Sequence, residues 1–285
     1  MSVRSPRSVP SKPAARGQRK AALSMYDLPE LQAANDALWA SIVDRLRARN
    51  LFDVPDQLTR DVAPEALWTD PDLILAQTCG LPLATRLEGR VRVVATPRYR
   101  ARGCDGADYR SAVVARADSV ANSLHDLRGG RCAVNDLTSN SGMNLLRAEI
   151  APLAGGKTFF KSVLVTGSHL ASVEAITQDD ADIAAIDCVT WAHLQRWRSG
   201  LTDRLRVLTW TVRSPGLPLI TSLGTSPSQV AALRAALDDV AGDPELREVR
   251  ETLLLEGFSV TSAEHYRAAL RLQDIAVGLG YPQLA

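Results

Sequence analysis

Residues 182–209 read DIAAIDCVTWAHLQRWRSGLTDRLRVLT, and residues 72–95 read DLILAQTCGLPLATRLEGRVRVVA. Each segment opens on an aspartate and runs through four apolar residues to a polar one, Asp187 or Gln77. Each then continues through a stretch with basic residues and returns as RVLT or RVVA. A short apolar run bounded by polar residues is how a strand buried on both faces reads. Strand, helix and strand in succession make a crossover unit, and its repetition argues for the α/β class. A weaker pairing supports the first. Ala21–Tyr26 runs into a helix after Asp27, and Arg131–Asn135 into a helix after Asp136. The simplest account is two lobes of similar plan, each a mostly parallel sheet flanked by helices, with a ligand cleft between them. Chance likeness between two β-α-β units is the competing account.

Working outward, Ala21–Tyr26, Gln57–Val62, Val91–Thr96, Tyr109–Arg116, Ser162–Thr166 and Leu205–Thr211 read as further strands, and Leu31–Arg49, Met143–Ile150, His169–Gln178 and Thr190–Arg198 as helices. Beyond Pro215 and Pro218 the chain reads as helical, over Gln229–Val240, Pro244–Leu254 and Ala263–Leu279. The pattern predicts one lobe from 21–110 plus 213–285 and the other from 111–212, with chain crossings near Ser111 and Val212. Residues 1–20 form a basic tail rich in Ser, Pro and Arg, and disorder is expected there. The tail has no apolar core of the kind a secretory signal needs, so a cytoplasmic location is expected from the sequence as written.

Composition narrows the function. Apolar residues make up 46% and charged residues 23% of the 285-residue chain, enough for a packed core. A net charge of +1 argues against a nucleic-acid binder. Runs such as Leu73–Ala76 and Ile183–Ile186 are too short to span a bilayer. The four cysteines, Cys79, Cys104, Cys132 and Cys188, lack C-x-x-C spacing and are expected to be free thiols. His125, His169, His193 and His265 have no metal-ligand spacing. No nucleophile elbow, phosphate-binding P-loop, G-x-G-x-x-G or H-E-x-x-H pattern occurs. No cofactor, metal or catalytic residue is expected, and neither is oligomerisation.

In open α/β sheets ligands sit beyond the carboxyl ends of the strands. That rule selects Tyr26, Gln77, Thr78, the stretch Thr138–Gly142, His169 and Asp187. The most informative of these lies in Asn135-Asp136-Leu137-Thr138-Ser139-Asn140-Ser141-Gly142-Met143-Asn144, between a strand and a helix. The first N–H groups of a helix have no intrahelical partner and carry partial positive charge. With the Ser139 and Ser141 hydroxyls, and Gly142 allowing close approach, they would cradle a tetrahedral oxyanion. An ordinary helix cap is the alternative, and it needs only one such residue. Asp187 would repel a fully ionised oxyanion but accept a hydrogen bond from a protonated oxygen or an amino group. Its alternative role is to cap the following helix. Arg98, Tyr99 and Arg100 read as a solvated loop.

Three stretches carry a resemblance to a known family. Ser139-Asn140-Ser141-Gly142, Gly167-Ser168-His169 and Ala181-Asp182-Ile183-Ala184-Ala185-Ile186-Asp187 together resemble the phosphate, phosphite and phosphonate-binding proteins of ABC importers. The first looks like the family's S-T-S-G turn with Asn in place of Thr. The second is similar to its Ser-His pair opening a helix, and the third to its D-x-A-A strand ending in a ligand contact. The resemblance implies the two-lobed type 2 periplasmic-binding-protein fold. It implies a small anionic ligand held by Tyr26, Gln77, Thr78, Thr138, Ser139, Asn140, Ser141, Gly142, His169 and Asp187. It also implies an ABC permease as partner and a periplasmic location as the alternative to the cytoplasm. Gln77-Thr78-Cys79-Gly80 departs from the family, which often presents an aromatic residue there. Two other readings stay open: an enzyme on the same two-lobed fold, like the pyrimidine-precursor synthases, and a cytoplasmic ligand sensor.

Overall fold

The computed structural model describes residues 18–285. Most of the expected tail, 1–17, lies outside the described residues. Within its described part disorder is not found: Arg19 pairs with Asp53 at 2.8 Å and Lys20 lies in a strand. In chain order the strands are β1 (Lys20–Ala22), β2 (Leu73–Gln77), β3 (Val91–Tyr99), β4 (Asp108–Tyr109), β5 (Ser111–Arg116) and β6 (Arg131–Val134). They continue as β7 (Ser162–Val165), β8 (Ile183–Asp187), β9 (Leu205–Trp210), β10 (Ser214–Pro215), β11 (Leu219–Ser222) and β12 (Leu255–Ser259).

These strands form two five-stranded sheets, ordered β1-β2-β11-β3-β12 and β7-β6-β8-β5-β9, and a ribbon of β4 with β10. The architecture is mixed α/β with helices flanking both sheets. The sheets themselves are less parallel than expected. In the first, only β1 and β2 run parallel, while β11 and β12 enter antiparallel to their neighbours. In the second, β6 is parallel to β7 and β8, whereas β5 is antiparallel to both β8 and β9. The reason is connectivity: the chain returning from the second sheet inserts β11 between β2 and β3. Four- and five-residue strands carry too short a pattern to separate from the helical reading given to the stretch beyond Pro218.

Three further expectations need correction. The first strand stops at Ala22, level with the end of its partner β2, and Ser24–Tyr26 is a 3-10 turn. Gln57–Val62 is not a strand; it touches β1 through a single backbone bond, from Thr59 N–H to the Ala21 carbonyl at 2.7 Å. Arg98 and Tyr99 are not in a solvated loop but close β3, where the Tyr99 ring packs edge-on against Tyr26.

The first sheet buries its core under the helices Gln32–Ala48 and Pro227–Gly242. Leu38, Ile42 and Leu46 on one helix meet Leu233, Leu237 and Val240 on the other. Each such side chain contributes roughly 1.5–3 kcal/mol by leaving water. Pro227–Gly242 is started by a capping box, Ser226 with Gln229. The chain's end does not stay with the first sheet. Ala269, Ala276, Tyr281 and Leu284 pack with Leu146, Ile150, Phe159 and Phe160 of the second. The N–H groups of Phe159 and Phe160 both donate to Ala285, at 2.7 and 3.0 Å.

Candidate functional site

A cavity of about 430 Å³ opens where several helices begin. Cys79, Ser139, Ser168 and Asp187 all line it, and each is the residue immediately before a helix. Such residues have extended backbone and turn their side chains back over the helix's free N–H groups. Ser139 Oγ accepts from Gly142 N–H at 3.0 Å, and Ser168 Oγ from Ala171 N–H at 3.0 Å. Asp187 Oδ1 accepts from Val189 N–H at 2.8 Å and Thr190 N–H at 3.2 Å. The helix after Ser139 opens with a π-helical turn, Asn140–Asn144, before its α-helical part Leu145–Ala154.

On this wall the polar groups converge. Ser141 Oγ lies 2.9 Å from His169 Nε2 and 3.4 Å from Ser139 Oγ. Burial pushes the His169 pKa down to about 4, so the ring is neutral near pH 7. Its Nδ1 is buried without a closed hydrogen bond and no carboxylate orients it, so the pair lacks the third member of a nucleophile-activating triad. Asp187 is 1% exposed. Burial raises its pKa to about 6, although the helix N–H groups and the Tyr26 hydroxyl pull the other way. Tyr26 OH donates to Asp187 Oδ2 at 3.0 Å and so joins the two sides of the cleft. Burial, then the Asp187 charge, drives the Tyr26 pKa well above its ordinary value.

The facing wall is apolar, with Met25, Leu31, Trp68, Pro82 and Leu217. Asp27, Glu65 and Asp136 also reach the cavity, and among the described residues no Lys or Arg lines it. Asp27 is neutralised by Arg60 at 2.6 Å. Among the described residues Asp187 faces no cation. Among the described residues no cluster of His, Cys, Asp or Glu could hold a metal ion.

Of the residues named from the sequence, the cavity brings together Tyr26, Thr138, Ser139, Ser141, His169 and Asp187. Four point elsewhere. Gln77 Nε2 donates to the Leu217 carbonyl at 3.2 Å and to Tyr99 OH at 3.3 Å. Thr78 is fully buried behind it, with N–H bonded to the Pro218 carbonyl. Asn140 Nδ2 donates to Ser214 Oγ at 2.8 Å and Tyr109 OH at 3.1 Å. Gly142 gives room: a Cβ there would lie 1.9 Å from Asn135 Oδ1. The backbone cradle is also partly used within the chain, since Asn140 N–H donates to Cys79 Sγ at 3.3 Å and Gly142 N–H to Ser139.

The sequence reading missed Cys79, Asn135, Thr190 and His193, all on the cavity. His193 has both ring nitrogens buried without a hydrogen bond, and burial lowers its pKa to about 4. For Cys79 a signal existed, because it precedes Gly80–Ala84 just as Asp187 precedes Cys188–Trp197. For His193, one turn inside its helix, there was none.

Comparisons with known proteins bear on the family and the fold. A family model described as ABC transporter, phosphonate, periplasmic substrate-binding protein matches residues 70–266. A binding-protein component of an ABC phosphonate transporter from Pseudomonas aeruginosa superposes with a TM-score of 0.72 at 18% identity, covering 92% of this chain and 86% of that one. PhnD1 from Prochlorococcus marinus, in complex with methylphosphonate, gives 0.71 at 14% identity over 90% and 97%. XAC2383 from Xanthomonas citri, bound to ATP, gives 0.65 at 18% over 92% and 97%. At these identities the structures bear on the fold alone. No curated protein matches the sequence. The matching family is periplasmic, which agrees with the alternative location and not with the cytoplasmic one.

Proposed function

This chain belongs to the periplasmic substrate-binding proteins of ABC phosphonate transporters, and from that premise we propose what its cavity holds. The family consists of binding proteins that hand a small ligand to a permease, not of enzymes. The ligand here is a small phosphorus oxyanion, a phosphonate or its phosphite or phosphate relative, delivered for uptake from the periplasm. The observation that carries this reading is that Ser141 Oγ stands 3.4 Å from Ser139 Oγ and 2.9 Å from neutral His169 Nε2, where two helices start. Hydroxyls rotate to donate to an anion, and the helix start adds favourable potential. Thr138 stands at the rim.

Asp187 selects what binds beside them. With no cation opposite, it favours a ligand bearing a protonated oxygen or an amino group and disfavours sulfate, which is fully ionised. The apolar wall around Trp68 and Leu217 suits a carbon substituent on phosphorus. The lobes exchange chain at the β4–β10 ribbon, which supports boundaries near Ser111 and Val212.

Calorimetric titration of the full chain with methylphosphonate, 2-aminoethylphosphonate, phosphite, phosphate and sulfate tests the reading. At least one phosphorus anion should bind and sulfate should not. Sulfate binding as tightly as the best phosphorus anion, or no binding by any of the five, overturns it.

A further inference from the structure

We propose that Cys104 and Cys188 form a disulfide that staples the loop before the β4–β10 ribbon to the first residue of the helix that Asp187 caps. The inference is independent of which ligand the cavity takes. The two Sγ atoms already lie 3.4 Å apart, although 84 residues separate them in sequence. A disulfide needs them at about 2.05 Å, a closure within reach of side-chain rotation. Backbone contacts hold both partners in place. Cys188 N–H donates to the Arg110 carbonyl at 3.2 Å, and Cys104 N–H closes a turn onto Ala101 at 3.0 Å. Between them, Gly103 has φ +109°, and a Cβ there would stand 2.9 Å from Cys188 Cβ and 2.8 Å from the Trp210 ring. Only glycine lets the loop come this close.

The pair also has an entrance. Cys79, Cys132 and Cys188 are buried, while Cys104 is partly exposed. It lies in a surface pocket of about 280 Å³ lined by Arg102, Arg110, Arg213 and Trp210. Asp105 pairs with Arg213, which leaves the mouth with net positive charge. Such a mouth attracts an anionic disulfide oxidant of the glutathione class.

The chemistry balances. The Cys104 thiolate attacks one sulfur of glutathione disulfide, and the first glutathione thiolate leaves. The Cys188 sulfur then attacks the Cys104 sulfur of the mixed disulfide, and the second glutathione leaves. Two electrons and two protons pass from the cysteine pair to the two glutathiones. In a periplasmic protein the oxidised form is the one that accumulates.

The test uses the full chain incubated with glutathione disulfide, then unfolded, alkylated and digested with trypsin without reductant. Mass spectrometry should find peptides 103–110 and 162–196 joined and lighter by two hydrogens, with Cys79 and Cys132 alkylated. The oxidised protein should melt roughly 5 °C above the reduced protein, a gain absent from Cys104→Ser. Cys104 and Cys188 both alkylated, or Cys104 stopped as a stable glutathione adduct, overturns the proposal. So does a joined pair with no change in melting.

Discussion

Gln77 and Asp187 end two strands of the same plan, yet only one reaches the cavity. β2 and β8 are equally buried and each is followed by a helix. After Asp187 the helix starts at once, so the strand-end side chain is also the helix cap and points into the cleft. After Gln77 two residues intervene, and the cap is Cys79. Gln77 is left to fix the backbone at Leu217 from behind. A binding residue at this fold's cleft is therefore located by where the helix starts more than by where the strand stops.

The contrast can be broken experimentally. The largest effect belongs to the helix after Ser139. Ser139→Ala should weaken binding of the best phosphorus anion about ten- to a hundredfold by calorimetry, as loss of a hydrogen bond to a charged group does. It also loses the cap on Gly142, which costs about 1 kcal/mol, so affinity should be read well below the melting temperature. A Ser139→Ala protein that binds like wild type removes this residue from the site.

Asp187→Asn comes next. Asparagine still caps the helix but carries no charge, so the preference among phosphonate, phosphate and sulfate should change. Stability should change as well. The folded protein holds the Asp187 proton up to about pH 6, above the ordinary carboxylate value. Between the ordinary value and pH 6 the folded state therefore binds more protons than the unfolded one, and stability falls as pH rises. Above that window the ligand-free protein bears a penalty of roughly 3 kcal/mol, which Asn removes. Urea melts at pH 5 and pH 8 should show the variant gaining on wild type at both, and more at the higher pH.

His193 runs in the opposite sense. Its pKa is lowered to about 4 in the fold, so the unfolded state binds the extra proton and stability is lost as pH falls from about 6.5 toward 4. His193→Gln should flatten that acid limb, and His169 should supply what is left of it. An unchanged limb in the variant would show that His193 is not charged on unfolding. The smallest effect lies behind the strand that misses the cleft. Thr78 Oγ1 is buried without a partner. Thr78→Val should raise stability by about 1 kcal/mol and leave ligand affinity within about twofold.

Much of this was legible in the chain. The apolar runs at 73–76 and 183–186 do end at buried β2 and β8, and the polar stretch after β6 does start a helix at the cavity. The repeated plan was enough to expect two sheets. What failed to show was whatever depends on a distant partner. β11 and β12 are strands because β3 offers both its edges, and no local pattern announces that. Asn140 sits in the most informative stretch, but Ser214 and Tyr109 turn its amide away from the cavity. Cys104 and Cys188 meet only once the second sheet has folded.

The chain's end has one more consequence. The chain passes from the first sheet to the second and back through the β4–β10 ribbon. Helix Ala263–Gly278 lies along that ribbon, and the residues after it are anchored to the second sheet through Phe159 and Phe160. The end of the chain is thus a third connection between the two sheets, added to the two strands of the ribbon. Away from the chain's end, Arg198 also pairs with Glu30 at 2.8 Å. Any parting of the two sheets must break that ion pair along with the Tyr26–Asp187 bond.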